Sequence, residues 1–307
     1  MTDKTIETPI KPRIETPRKT KVEIPVKPKL ELPIKPKKPI SEKGFEELIK
    51  DIEKRLNIHL SCYKVDYIKR RLLSRMNSTR QENYVDYHAY LRKTPEEEEK
   101  LRNALTINVT KFYRDTDAFN LIRDVIFPDI LKSRKKIRMW SAGCSSGEEP
   151  YTYAIMIYEL TRGVTAGNVI LATDIDQEIL KKAKEGVYEK STLDNLDPKL
   201  VVKHFEQLPD GKYKVRDHIK SMVQFQQHDL MKGIHASRDN DIVSCRNVTI
   251  YFNEEQKKLL VKLMYDALRP DGYYIMGMSE YISKDVEHLF SAYKPIYKIY
   301  KKAQELK

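Results

Sequence analysis

The chain has 307 residues, 40% of them apolar, and a formal net charge of +12. No apolar run approaches membrane-spanning length, no h-region of a signal peptide is present, and Cys62, Cys144 and Cys245 form no CxxC pair, which argues against a zinc site or a disulfide framework. A cytoplasmic protein is expected, and because residues 1–40 hold 11 of the Lys/Arg and 5 of the Asp/Glu, half the basic excess lies in a tail and the body is a poor candidate for binding nucleic acid.

That tail is a repeat. Glu7, Glu15, Glu23 and Glu31 recur every eight residues, as do Pro9, Pro17, Pro25 and Pro33, and eight of the 15 prolines fall here. Proline fixes φ and removes a donor, so a disordered, extended arm is expected over residues 1–40. From Ser41 four helical segments follow. "SEKGFEELIKDIEKRLNIHL" places Phe45, Leu48, Ile52 and Leu56 on one face, and "YKVDYIKRRLLSRM" sets Tyr67, Leu72 and Met76 among Lys69, Arg70, Arg71 and Arg75. "NYVDYHAYLRK" is a third. In the fourth, "TPEEEEKLRNALTI", Thr94 is the expected cap, Pro95 suits the first helical position, and Glu96 to Glu98 face the positive helix end.

After Phe119 strands and helices alternate: "IRMWSA" strand, Glu148 to Leu160 helix, "VILATD" strand, "DQEILKKAKEG" helix, "DIVSCRN" strand, "NEEQKKLLVKLMYDAL" helix, "YYIMGMS" strand and "YKPIYKIY" a closing strand. This rhythm implies a mostly parallel sheet covered on both faces. Residues 186–228 interrupt it, and "LPDGKYKVRDHI" there reads as a hairpin subdomain.

The strand at 137–142 runs into G-C-S-S-G and then Glu148 and Glu149. This is not the dinucleotide fingerprint, no Walker lysine follows, and two carboxylates at a helix start repel a pyrophosphate. Asp174 ends the next strand, where an acid commonly bonds ribose hydroxyls. A phosphate-free adenosine with a cationic tail describes S-adenosylmethionine.

"NVTKFYR" (108–114), "WSAGCSSGEEPYTYAI" (140–155), "ATDID" (172–176) and "SCRNVTIYF" (244–252) occur in this order. From about Gly44 to about Tyr300 the chain resembles the CheR family of chemotaxis-receptor glutamate O-methyltransferases. The resemblance implies an α/β fold: an all-α N-terminal domain with its linker (41–118) and a class I, Rossmann-like methyltransferase domain (119–307) carrying an inserted β-subdomain (186–228). It implies S-adenosylmethionine as cofactor, S-adenosylhomocysteine as product, and the helical cytoplasmic domain of receptors as partner, met by a monomer without metal. Asn108, Thr110 and Arg114 would then reach the cofactor, with Gly143 in its turn. Glu149, with Glu148, would hold the methionine amino group and Asp174 the ribose. Asp229 and Leu230 would flank the adenine, although relatives can carry Asn at the first of these. Arg246 and Asn247 would line the pocket, and Arg114 and Tyr251 would face the transferring methyl. Lys69, Arg70, Arg71 and Arg75 would contact the receptor. The short hairpin "EQLPDGKYKV", with its single glycine, speaks against docking on a receptor's C-terminal pentapeptide. A methyltransferase acting on RNA or DNA and a cofactor-binding adaptor are the other readings; the absence of an N-P-P-Y-type loop at "CRNVTIYF" weighs against the first.

Overall fold

The computed structural model describes residues 41–106 and 108–304, so the repeat expected to be disordered lies outside the described residues. Four helices come first: α1 (Phe45–Leu56), α2 (Val65–Thr79), α3 (Tyr84–Lys93) and α4 (Pro95–Leu105). Apolar residues at helical spacing build one core from them, including Leu48, Ile52, Leu56, Leu72, Met76, Tyr87 and Leu101, each no more than 2% exposed. Asn83 caps α3 by accepting from the Asp86 amide. Thr94 occupies the N-cap of α4 but makes no side-chain cap bond; Pro95 fixes that start instead.

Helices α5 (Thr116–Leu121) and α6 (Phe127–Arg134), joined by a π-type turn over Ile122–Ile126, lead into the sheet. Then follow β1 (Arg138–Ala142), α7 (Glu148–Leu160), β2 (Val169–Asp174), α8 (Gln177–Glu185), β3 (Val187–Tyr188), α9 (Pro198–His204), β4 (Phe205–Gln207), β5 (Tyr213–Val215), α10 (Asp217–Lys220), β6 (Val223–Gln227), β7 (Asn240–Cys245), α11 (Glu254–Ala267), β8 (Leu268–Met276), β9 (Phe290–Lys294) and β10 (Ile299–Lys302). The large sheet runs β6-β2-β1-β7-β8-β10-β9. Its first five strands are parallel and β10 is antiparallel to both neighbours. Strand order reverses between β1 and β7, and the crevice outside their carboxyl ends is where such sheets bind ligands.

Strands β3, β5 and β4 form a separate antiparallel sheet. The closing strand expected over 293–300 is two strands with a tight turn at Pro295–Tyr297, because proline ends the first.

Two joints tie the helical part to the sheet. The main chain of residues 62–64 pairs antiparallel with 251–253: the Lys64 amide donates to the Tyr251 carbonyl (3.0 Å) and the Asn253 amide to the Cys62 carbonyl (2.9 Å). Farther on, Phe112 is fully buried and packs edge-on against Tyr188 and Phe205 of the small sheet. Among the described residues no helix is long and apolar enough to cross a membrane.

Candidate active site

A cavity opens at the carboxyl ends of β1, β2, β6 and β7, roofed by the segment after α4. The β1 turn enters it through Gly143, at φ 79, where an added Cβ would lie 2.5 Å from the Val248 side chain. Most of the turn's amides are already spent, that of Gly147 on the Cys144 carbonyl. Those of Gly143 and Cys144 donate to the Thr173 carbonyl and that of Ser145 donates to the Asp174 carboxylate at 2.8 Å. Few turn amides are left for a phosphate, in keeping with the acidic turn.

Asp174 also accepts from the Asp176 amide at 3.0 Å, one donor on each oxygen. Burial pushes its carboxyl up to about 6 from an ordinary 3.8, against the pull of the Asp176, Ser145 and Ile175 amides. Asp174 lines the cavity.

Glu149 and Glu148 separate here. Glu149 lines the cavity, and its Oε1 accepts from Ser141 and Ser244, both at 2.8 Å. These serines are register partners on β1 and β7. Glu148 does not line the cavity: it is 3% exposed, its carboxylate accepts from Ser146 Oγ at 2.7 Å, and burial raises its pKa. Consecutive helical residues point about 100° apart, so only one of the pair can turn inward.

Arg246 holds the far wall. It pairs with Asp115 (2.6 Å) and Glu149 (3.3 Å), donates to the Arg114 carbonyl (3.1 Å) and stacks on Phe119. Its Nε is buried with no hydrogen-bond partner among the described residues. Tyr113 and Asp115, at φ 50 and 63, flank Arg114 in the left-handed region. This costly kink is held by the Arg246 contacts and presents Arg114 to the cavity. Arg114 is half-buried, bonds the Val109 carbonyl at 2.9 Å, and has no carboxylate partner among the described residues. Lys111, unassigned from sequence, lines the same cavity.

Asn108, Thr110, Asp229, Leu230, Asn247 and Tyr251 line it too. Asn108 leans toward Asp176, which caps α8. Asp229 accepts from the Met231 amide, and His59 of the helical part approaches it at 3.5 Å. Burial raises the Tyr251 hydroxyl above its ordinary 10.0 despite the nearby charges of Arg114 and Arg71, so it stays a phenol at neutral pH.

The four basic residues of α2 do not act alike. Lys69 pairs with Glu42 at 2.8 Å. Arg70 is exposed and lines a surface hollow with Lys64 and Tyr251, while Arg71 stacks on Tyr67. Arg75 does not belong with them. It grips Glu97 with two bonds of 2.8 and 2.7 Å, and Glu97 is 2% exposed and also accepts from Tyr87. Arg75→Ala strands that buried carboxylate, and a loss of about 3 kcal/mol in urea denaturation is expected, with S-adenosylhomocysteine affinity unchanged in the folded protein. Among the described residues no group of His, Cys, Asp and Glu is placed to hold a metal ion.

The model of the CheR methyltransferase SAM binding domain matches residues 108–297, and that of the CheR methyltransferase all-alpha domain matches residues 43–106. A chemotaxis protein methyltransferase of Borreliella burgdorferi is 34% identical over 265 residues, covering 82% of this chain and 94% of that protein. One from Listeria innocua is 32% identical over 251 residues, covering 81% and 94%. Chemotaxis protein methyltransferase 2 of Vibrio cholerae is 33% identical over 225 residues, covering 71% and 78%.

Proposed function

The chain belongs to the CheR methyltransferase family, and from that premise we propose that it converts glutamate side chains of chemotaxis receptors into methyl esters. It is a chemotaxis protein methyltransferase that uses S-adenosylmethionine. The cavity fits that cofactor in chemistry: Glu149, Asp174 and Asp229 line it, most amides of its glycine turn are bound to protein oxygens, and the buried Arg246 Nε has no partner among the described residues. Asp174 would take the ribose hydroxyls, Glu149 the amino group, Asp229 and Leu230 the adenine, with Asn108, Thr110, Gly143, Arg246 and Asn247 completing the walls.

When bound, the cofactor supplies a methyl group on a positively charged sulfur. The chain's own residues then have little proton chemistry to do. A receptor glutamate, with an ordinary pKa of about 4.3, arrives ionised and needs no general base. What it needs is alignment and removal of water. Arg114 would orient it by charge-assisted hydrogen bonds, and the Tyr251 phenol would donate or pack beside it. The observation that carries this reading is Arg114 at a cavity otherwise rich in carboxylates, without a carboxylate partner of its own among the described residues. The test is the product. Receptor labelled with methyl from the cofactor should release the label as methanol under mild base; label that persists as an N-methyl group, or that enters RNA, would overturn the ester reading.

The substrate would approach over α2, where Arg70 and Arg71 stand beside Tyr251. Positive charge there speeds encounter with an acidic receptor helix. Arg70→Glu with Arg71→Glu is expected to slow receptor methylation about tenfold, more at low salt, with unchanged S-adenosylhomocysteine affinity. Wild-type methylation rates would remove α2 from the docking surface.

A further inference from the structure

Glu280 follows β8 and is 2% exposed. It carries no role in the reading above, yet five donors converge on its carboxylate. Oε2 accepts from the amides of Gly277 (2.6 Å) and Asn247 (2.7 Å). Oε1 accepts from the amides of Val248 (3.0 Å) and Thr249 (2.7 Å) and from the Thr249 hydroxyl (2.7 Å).

Three of those amides are consecutive. Asn247 sits at φ 61 and Val248 at φ −104, ψ −47, a left-handed residue followed by a right-handed one. That succession turns successive N–H groups to one side and makes a concavity that binds anions. Here the anion is the protein's own. The approach is so close that an added Cβ on Gly277 would fall 2.6 Å from Asn247 Nδ2 and 2.7 Å from Glu280 Oε2. The loop fixed in this way begins with Arg246 and Asn247 and ends in the short helix Thr249–Tyr251, all of it but Thr249 and Ile250 lining the cavity.

We propose that Glu280 is the positioning residue of this loop: its buried carboxylate fills the anion nest of residues 247–249 and ties it to the end of β8. Arg246 and Asn247 are thereby set against the cofactor and Tyr251 against the incoming carboxylate, which rests on the roles proposed above for those residues. Glutamine cannot substitute. Its amide nitrogen would have to face donors at one of the two positions, either the Gly277 and Asn247 pair or the Val248 and Thr249 pair.

The experiment compares wild type, Glu280→Gln and Glu280→Ala. Wild type must bind S-adenosylhomocysteine in calorimetry; if it does not, the cofactor reading itself fails. Against that reference, Glu280→Gln is expected to bind about tenfold more weakly and to lose about tenfold or more in kcat, with receptor KM within twofold, since the charge-assisted bonds that hold the loop are weakened or broken. Hydrogen exchange in the ligand-free protein should show the amides of Asn247, Val248 and Thr249 losing protection while the core of β7 keeps it. Added formate should restore part of the affinity of folded Glu280→Ala by entering the vacated nest. A folded Glu280→Gln with wild-type affinity, kcat and exchange overturns the proposal, as does a folded Glu280→Ala that is impaired but indifferent to formate. Should Glu280→Ala not fold, the glutamine variant decides alone.

Discussion

Arg114→Ala is expected to lower kcat for receptor methylation about 100-fold, with only a few-fold change in S-adenosylhomocysteine affinity. The reasoning begins with desolvation. A carboxylate entering this cavity meets Glu149, Asp174 and Asp229 on the walls, so its own charge is disfavoured there unless a cation receives it. Arg246 cannot, because Asp115 and Glu149 already engage it. Arg114 remains, beside the exposed Lys111, with one guanidinium nitrogen on the Val109 carbonyl. Losing its charge-assisted bonds, and the alignment they impose, accounts for the size of the effect. Arg114→Lys keeps the charge without the planar fork and should fall between the two. Single-turnover methylation with saturating cofactor measures this; an alanine variant at wild-type rate would assign the orienting role to another group, with Lys111 the next to examine.

Asp174→Ala is expected to weaken S-adenosylhomocysteine about 100-fold. It removes an ionised acceptor for two hydroxyls and also strands the amides of Ser145 and Asp176. The same residue predicts a pH profile. Ribose hydroxyls favour the ionised carboxylate, whose pKa in the free protein is pushed up to about 6. Affinity should therefore be flat above about pH 7 and about tenfold weaker at pH 5. Stability of the ligand-free protein runs the opposite way for this group. Between 3.8 and about 6 the folded state binds the proton more tightly than the unfolded state, so the stability this group contributes falls as pH rises through that window. Calorimetry from pH 5 to 8 checks the first statement. A flat profile in wild type, or one that Asp174→Asn leaves in place, would move the titration to another residue.

What the sequence disclosed, it disclosed where chemistry constrains residue type. The glycine turn and the acid at the end of β2 were readable because few residues tolerate φ 79 or close a strand with a carboxylate toward a cavity. The helical part was readable from its apolar spacing. Other features were not. Choosing Glu149 over Glu148 needs the helix's rotation about its axis, which periodicity does not give when α7 is buried on nearly every side. Arg75 lies one turn beyond Arg71, and only the packing of α2 on α4 aims it at Glu97. Strand β6, "VQFQQ", is a polar edge with little alternation, and helices α5 and α6 run through a π-type turn that spoils a regular period. Glu280 gave no local signal at all, since its five donors come from residues at least 31 positions away and from Gly277.

The antiparallel seam between residues 62–64 and 251–253 has an evolutionary corollary. The strip of main chain that leads into α2, the element a receptor would touch, is stitched directly to the strip that displays Tyr251. If α2 meets the receptor as proposed, partner choice and chemistry share a seam, and a chimera that grafts a relative's first hundred residues onto this catalytic half inherits that stitch only if both sides are exchanged together. Lineages that retarget the enzyme to new receptors are therefore expected to vary the outward face of α2 while holding fixed the strip 62–64 that precedes it.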